Sequence, residues 1–338
     1  MSSPLRIGLM GFGRIGRNLF RLGHDNPNFQ FAAISDLGQP ETLRYLLLRD
    51  SVHGPFDVEA TVNDSYLEVG DQNVRLLPGG KPSEIPWDMM NLDVVIDSTG
   101  VTWSDEEVEA YRNHTKRTII TNPDVTSVDR IVVPGVNESE ISQDDKIVSP
   151  SSSTTQVLAL MLKILDQEFG VRNAMMATIH AYTSDQPLAD NTRVRRRRSR
   201  SAVENIIPNE TPSPRLVEAM FPHLKGKVKG IAFNVPVPDG SCIDLTTEHD
   251  KMPSVDNVNE VMKTWSQGDL SHIVGYTEDP IVSSDVIGRG ESMIFDAKAT
   301  MIAAGNFLKT ISWYDNGWGY SKRILELVEA YSGLGGDS

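Results

Sequence analysis

The first half of the chain alternates short apolar runs with amphipathic stretches. "LRIGLMG" reads as a buried strand, and "RIGRNLFRLGHD" behind it carries apolar residues at helical spacing. "FAAISD" predicts a second buried strand, and "PETLRYLLLRD" a second helix with Pro40 near its start. "DVVIDSTG", "RTIIT" and "RIVVPG" are further apolar runs, each closed by Gly, Ser, Thr or Pro. Strands without polar alternation are covered on both faces, so this half predicts a mostly parallel sheet between helices. Near residue 150 the pattern changes. "NAMMATIHAYT", "VKGIAFNVPVP", "SCIDLTTEH" and "NFLKTISWYD" are longer strands with less helix between them, which predicts a more antiparallel sheet. "YSKRILELVEAYS" returns to helical spacing and closes the chain.

The first strand–helix junction holds Gly11-x-Gly13-x-x-Gly16, with Arg14 and Ile15 opening the helix. Asp36 ends the second strand about twenty residues on, the context that a dinucleotide-binding turn requires. Glycines let the backbone approach a pyrophosphate that helix N-terminal amides hold. Asp36 would accept hydrogen bonds from the adenosine ribose and repel a 2'-phosphate, which favours NAD. Thr192 and the arginines beside it leave use of NADP open.

Composition narrows the partners. The net charge of -14 over 338 residues argues against binding nucleic acid through the whole surface. A single cysteine, Cys242, excludes an internal disulfide framework and a cysteine-rich zinc site. No apolar run is long enough to span a membrane, and "MSSPLRIGLMGF" lacks a signal-peptide pattern, so the expectation is a cytoplasmic protein. A second polar cluster opens a helix: "SPSSSTTQVLAL" puts serines and threonines before an apolar run. Such a cluster is either a helix cap or the place of chemistry.

"GFGRIGRN", "DSVHGPF", "IPW", "IHAYTSDQ", "ENIIP", "YTEDPIVSSD", "IFDAKA" and "SWYDNGWGYS" together resemble the phosphorylating glyceraldehyde-3-phosphate dehydrogenase family, in its order and across nearly the full chain. The resemblance implies α/β architecture: a Rossmann-type doubly wound parallel sheet, plus a second α+β catalytic domain with a largely antiparallel sheet. It divides the chain into an NAD-binding domain at 1–150 and a catalytic domain at 151–318. A C-terminal helix at 319–334 would return to the first domain. The resemblance also implies a homotetramer, a small aldehyde substrate and inorganic phosphate as cosubstrate.

Residue by residue, Ser153 falls where the family keeps its nucleophilic cysteine, and His180 matches its histidine base. Asn316 matches the residue that orients the nicotinamide amide; adenine and ribose contacts map near Asp36, Thr99 and Thr121. Ser152, Thr154, Thr183 and Thr211 match phosphate ligands, Arg198 an arginine near them, and Asn234 stands in place of a further arginine. Met10 replaces an asparagine, Pro212 a glycine and Gly317 a glutamate. A thiol of pKa ~8.5 ionises readily beside a histidine, whereas a serine hydroxyl needs an oriented base. Losing a charge-assisted contact of about 1.5–3 kcal/mol at Asn234 would weaken binding of a phosphorylated aldehyde. Outside the resemblance, a lone histidine in a strand is ordinarily a packed or surface residue.

"TRVRRRRSRSAVENIIP" clusters Arg193, Arg195, Arg196, Arg197, Arg198 and Arg200. The family has a shorter cluster in this loop at its tetramer interface; a polyanion contact is the other reading. Two functions remain open: an NAD-dependent oxidoreductase with an altered substrate or mechanism, and a catalytically impaired NAD-binding paralogue with a regulatory or assembly role.

Overall fold

The structure, a computed structural model, describes residues 3–122, 127–192, 196–251, 253–303 and 306–333. Arg193 and Arg195 of the arginine run lie outside them. The chain divides into two units, one formed by 1–151 with 321–338 and the other by 152–320.

The first unit is built on a nine-stranded sheet. Its central strand, Leu5–Met10, pairs in parallel with Phe29–Asp36 on one side and Val94–Asp97 on the other. Gln72–Pro78 extends the first side in parallel, and Thr118–Ile120 the second. The β-branched and leucine-rich strands are buried throughout their middles, as strands sandwiched between helices require. Helices α1 (Arg14–Gly23), α2 (Pro40–Leu48) and α3 (Asp105–His114) connect them. Beyond Gln72–Pro78 the sheet turns antiparallel through Tyr66–Val69 and Ala60–Asn63. The chain leaves the central strand first to one neighbour and later to the other, so a topological switch point lies at its carboxyl end.

The second unit carries a mixed eight-stranded sheet. The long strand Val171–Ala181 pairs antiparallel with Ser241–His249 but parallel with Val228–Val235. Phe307–Tyr314 continues the antiparallel side, and Val274–Thr277 pairs in parallel with Met293–Asp296. Two parallel pairs make the sheet less antiparallel than the sequence pattern suggests. Strand length and alternation do not distinguish the two directions.

Helix α4 (Ser153–Phe169) lies on one face of this sheet, with α5 (Ser213–Met220) beside it; α6 (Val255–Gln267) follows later in the chain. Thr178, Ser312 and Tyr314 on that face are buried. On the opposite face Met175 is 69% exposed and Ile231 38%, while Ala177, Ile179, Phe233, Ile311 and Trp313 are half-buried. The last helix, α7 (Trp318–Gly333), is amphipathic, and its later turns pack within the first unit. There Arg117 lies 4.6 Å over the Tyr331 ring, and the Tyr331 hydroxyl donates to the Asp145 carbonyl.

Candidate functional site

In the first unit a cleft of about 230 Å³ opens at the carboxyl ends of adjacent parallel strands. Its walls come from the residues that end four strands: Met10 and Gly11, Ser35 and Asp36, Gly79 and Gly80, Ser98 and Thr99. This is the crevice in which open α/β sheets bind ligands. Gly11 sits at φ +88°, and a Cβ there would meet the Thr99 backbone nitrogen at 2.8 Å. At Gly16 a Cβ would come within 2.3 Å of the Gly11 carbonyl oxygen, so helix and strand pack too closely for any side chain. A Cβ at Gly13 would meet nothing within 4 Å. The middle glycine therefore faces open space, which is where a pyrophosphate would approach. Arg14 and Ile15 begin α1, and no side chain caps the helix from Gly13. Its first amide donors suit an anion.

Asp36 accepts from the Phe12 amide at 2.6 Å and from the Gly38 amide at 2.7 Å, which holds its carboxylate at the cleft. Thr99 lines the cleft; Thr121 does not, being buried with its amide on the Asp97 carbonyl at 3.0 Å. The cleft also takes in Leu37, Val101 and Trp103, which the sequence reading did not single out. The available signal was the strand-ending rule: Gly79 and Gly80 directly follow the strand Gln72–Pro78. The glycine spacing, the open approach at Gly13 and the carboxylate at Asp36 fit a bound NAD.

Four of the matched polar residues of the second unit, Ser152, Ser153, Thr154 and Thr211, lie where α4 and α5 start. Ser151 precedes it with φ +63°, a left-handed conformation that costs about 1–3 kcal/mol for a side-chain-bearing residue. Ser152 is the N-cap: its hydroxyl oxygen accepts from the Thr155 amide at 3.1 Å and lies 2.9 Å from the Thr155 hydroxyl. Thr155 in turn donates to Ser213 at 3.0 Å, and Thr211 donates to the same Ser213 oxygen at 3.1 Å. A chain of hydroxyls thus joins Ser152 to Thr211 across the starts of α4 and α5. Thr154 points elsewhere: it is buried, 2.9 Å from the Tyr314 hydroxyl, which also meets Thr178 at 2.9 Å. Burial pushes the Tyr314 phenol up to about 12, so it stays a neutral partner.

Ser153 is the first residue of α4 and half-buried. Among the described residues nothing hydrogen-bonds its hydroxyl, His180 included. His180 Nδ1 lies 2.6 Å from the Ala181 carbonyl oxygen. A carbonyl only accepts, so Nδ1 carries the proton and Nε2 is left with the lone pair. The Asn316 amide nitrogen sits 3.2 Å from Nδ1 and 3.5 Å from Nε2. Ser241 fixes that amide by donating to Asn316 Oδ1 at 2.6 Å, while accepting from the Ala181 amide at 2.9 Å. Ser241 and Tyr314 are unmarked in the sequence because their partners come from distant strands.

Asn234 is paired in register with His180 on the neighbouring parallel strand. Its carboxamide oxygen accepts from Asn209 at 2.5 Å, and its amide nitrogen donates to the Ala181 carbonyl at 3.3 Å. Thr183 donates to Asp185, which also pairs with Arg198. Burial opposes ionisation of Asp185, but the Thr183 hydroxyl and Arg198 outweigh it and hold the carboxyl below its ordinary value. The matched anion ligands are thus turned toward one another. Cys242 is buried, and desolvation with the nearby Asp244 and Asp296 charges pushes its thiol up to about 12. It offers no thiolate in place of Ser153.

Comparison with known proteins closes the question of descent. Residues 5–105 match the family described as "Glyceraldehyde 3-phosphate dehydrogenase, NAD binding domain", and residues 152–316 its C-terminal domain. A glyceraldehyde-3-phosphate dehydrogenase of Priestia megaterium is 38% identical over 332 residues, covering 98% of this chain and 99% of the relative. Glyceraldehyde-3-phosphate dehydrogenase 1 of Bacillus subtilis and the enzyme of Geobacillus stearothermophilus are each 37% identical over 325 residues, covering 96% of this chain and 97% of each relative. With this coverage and the NAD-binding cleft in place, the chain belongs to the glyceraldehyde-3-phosphate dehydrogenase family of NAD-dependent oxidoreductases.

Proposed function

We propose that this oxidoreductase acts on the aldehyde or oxo carbon of a small anionic substrate, with a thioester route disabled because Ser153 stands at the nucleophile position. The observation that carries this reading is the unassisted Ser153 hydroxyl at the tip of α4. A serine without an oriented base is a poor nucleophile. NAD, when bound, supplies the hydride acceptor. His180 Nε2, the acceptor nitrogen when Nδ1 carries the proton, would take the proton from an alcohol or aldehyde-hydrate hydroxyl. Ser153 donates a hydrogen bond to the substrate oxygen, and the Ala181 carbonyl, accepting from Nδ1, keeps the imidazole in one orientation. Ser152, Thr183, Thr211 and Arg198 remain the candidate anion ligands, and inorganic phosphate would become a cosubstrate only if an acyl intermediate formed at position 153.

One observation favours the second reading, a catalytically impaired NAD-binding paralogue with a regulatory or assembly role. Asn234 contributes no charge, and Asp185 already neutralises Arg198. The test follows NADH absorbance with glyceraldehyde 3-phosphate and NAD, with and without phosphate, for the native chain and S153C. On the first reading the native chain shows no phosphate-dependent burst, turns over other aldehydes or alcohols, and gains a phosphate-dependent rate of about 10³-fold or more in S153C. A native rate on glyceraldehyde 3-phosphate equal to that of S153C would sink the claim about Ser153. Turnover on no substrate by either protein, with NAD still bound, selects the second reading.

The half-buried apolar sheet face around Met175 and Ile231 supports a homotetramer. Among the described residues no helix is long and apolar enough to cross a membrane; a cytoplasmic location stays part of this proposal. Arg196 and Arg197 are exposed and line a surface pocket with Arg198, so the arginine loop fits either a subunit contact or an anion.

A further inference from the structure

We infer that Asp97 is the positioning residue of the cofactor cleft: one buried carboxylate holds three of the cleft's wall residues in place. Asp97 ends the strand Val94–Asp97 and is itself almost wholly buried, so it does not line the cleft. Its two oxygens accept four hydrogen bonds. Oδ1 takes the Thr99 amide at 3.0 Å and the Thr99 hydroxyl at 2.7 Å. Oδ2 takes the Trp103 indole N–H at 2.6 Å and the Tyr111 hydroxyl at 2.8 Å. Tyr111 also touches the Met10 sulfur at 2.7 Å. Thr99, Trp103 and Met10 are all wall residues, while Asp97 and Tyr111 stand behind them.

The donors leave little choice about what can occupy position 97. An indole N–H only donates, and the Thr99 amide only donates, so both oxygens must be acceptors. An asparagine there would turn an NH2 group toward one of those donors and leave a buried N–H without a partner. Trp103 is the group able to leave, because it lies on the loop after the strand and is half-buried. Swinging its ring out would remove part of the apolar lining that it shares with Leu37 and Val101. The chemistry that recognises such a wall is a flat aromatic base, and the cleft's neighbours are the phosphate glycines and Asp36. The part of NAD affected is therefore its adenylate half.

The test measures NAD and AMP affinity by calorimetry for the native chain, D97N, W103F, Y111F and the D97N/W103F double variant. Trp103 emission is isolated as the difference between the native chain and W103F, and between D97N and the double variant. D97N is expected to weaken NAD and AMP in parallel by about tenfold or more, the usual scale for stranding a buried donor. It should also shift Trp103 emission to the red and raise its quenching by acrylamide. W103F should weaken both ligands several-fold, and the double variant should be no weaker than D97N, since Asp97 acts through Trp103. Y111F leaves the indole bond intact and should hold both affinities within about threefold. Additive losses, or D97N and W103F each binding AMP within twofold of the native chain, would overturn the inference. Should D97N not fold, the contrast between W103F and Y111F decides: equal affinities, or the greater loss in Y111F, refute the clamp.

Discussion

At the scale of single residues, three glycines with one spacing do three different jobs. Gly11 needs its positive φ, Gly16 needs the absence of a side chain against the Gly11 carbonyl, and Gly13 needs neither. The difference makes a paired prediction. Gly16→Ala is expected to destabilise the first unit by roughly 1–3 kcal/mol through overpacking, lowering its melting temperature. Gly13→Ala should cost at most about 1 kcal/mol of stability, as alanine is a weaker N-cap than glycine. Its larger effect should be on NAD affinity, because the new methyl fills the space left for phosphate. Calorimetric melting and NAD titration of both variants check this; equal stability losses with equal NAD affinity would contradict the assignment. The spacing was legible because each glycine sits in a strand–helix junction. Asp97 was not, since its partners Thr99, Trp103 and Tyr111 converge only once the strand end and α3 have folded together.

At the scale of elements, the parallel strands were readable as unbroken apolar runs and the helices as amphipathic ones. Ala60–Asn63 and Tyr66–Val69 escaped notice because short, half-polar hairpin strands at a sheet edge carry a weak signal. Helix α4 shows what the Ser/Thr cluster before it does locally. Ser152 caps the helix, and the same hydroxyl begins the chain to Thr211. Capping and chemistry are therefore not alternatives here, since the cap fixes the axis on which Ser153 stands. Ser152→Ala should cost about 1 kcal/mol at this helix end. With two units in the chain, a global melting curve is a poor measure of one cap. Hydrogen exchange at the Thr155 amide is the direct one, and it should speed up about fivefold while the middle of α4 stays unchanged. Unaltered exchange at Thr155 would show that the Ser152 hydroxyl does not hold the turn and that the Thr155–Ser213 bond suffices.

At the scale of the whole molecule, the described residues pack helices on one face of the second unit's sheet and leave apolar side chains partly exposed on the other. Helix α4 covers the face bearing Thr178, Ser312 and Tyr314, whereas Met175, Ile231 and their half-buried neighbours lie on the other. Scattered exposed apolar residues need no explanation, but Ala177 beside Ile231 and Ile179 beside Phe233, paired in register on adjacent strands, call for a cover. A chain of net charge -14 repels its own copies at long range, so an assembly must rest on such local apolar contact and on pairing of the arginine loop with carboxylates. Sedimentation of the native protein is expected to give the mass of four chains at moderate salt. Ile231→Asp places a charge on the strand that already carries Lys229 two residues before it, at a position that is exposed in the single chain. The variant should keep its secondary structure and its NAD affinity yet sediment as a smaller species. If Ile231→Asp remains a tetramer, the open face is not the contact. If the native chain sediments as a monomer, the face is bare in solution and the assembly reading fails with it.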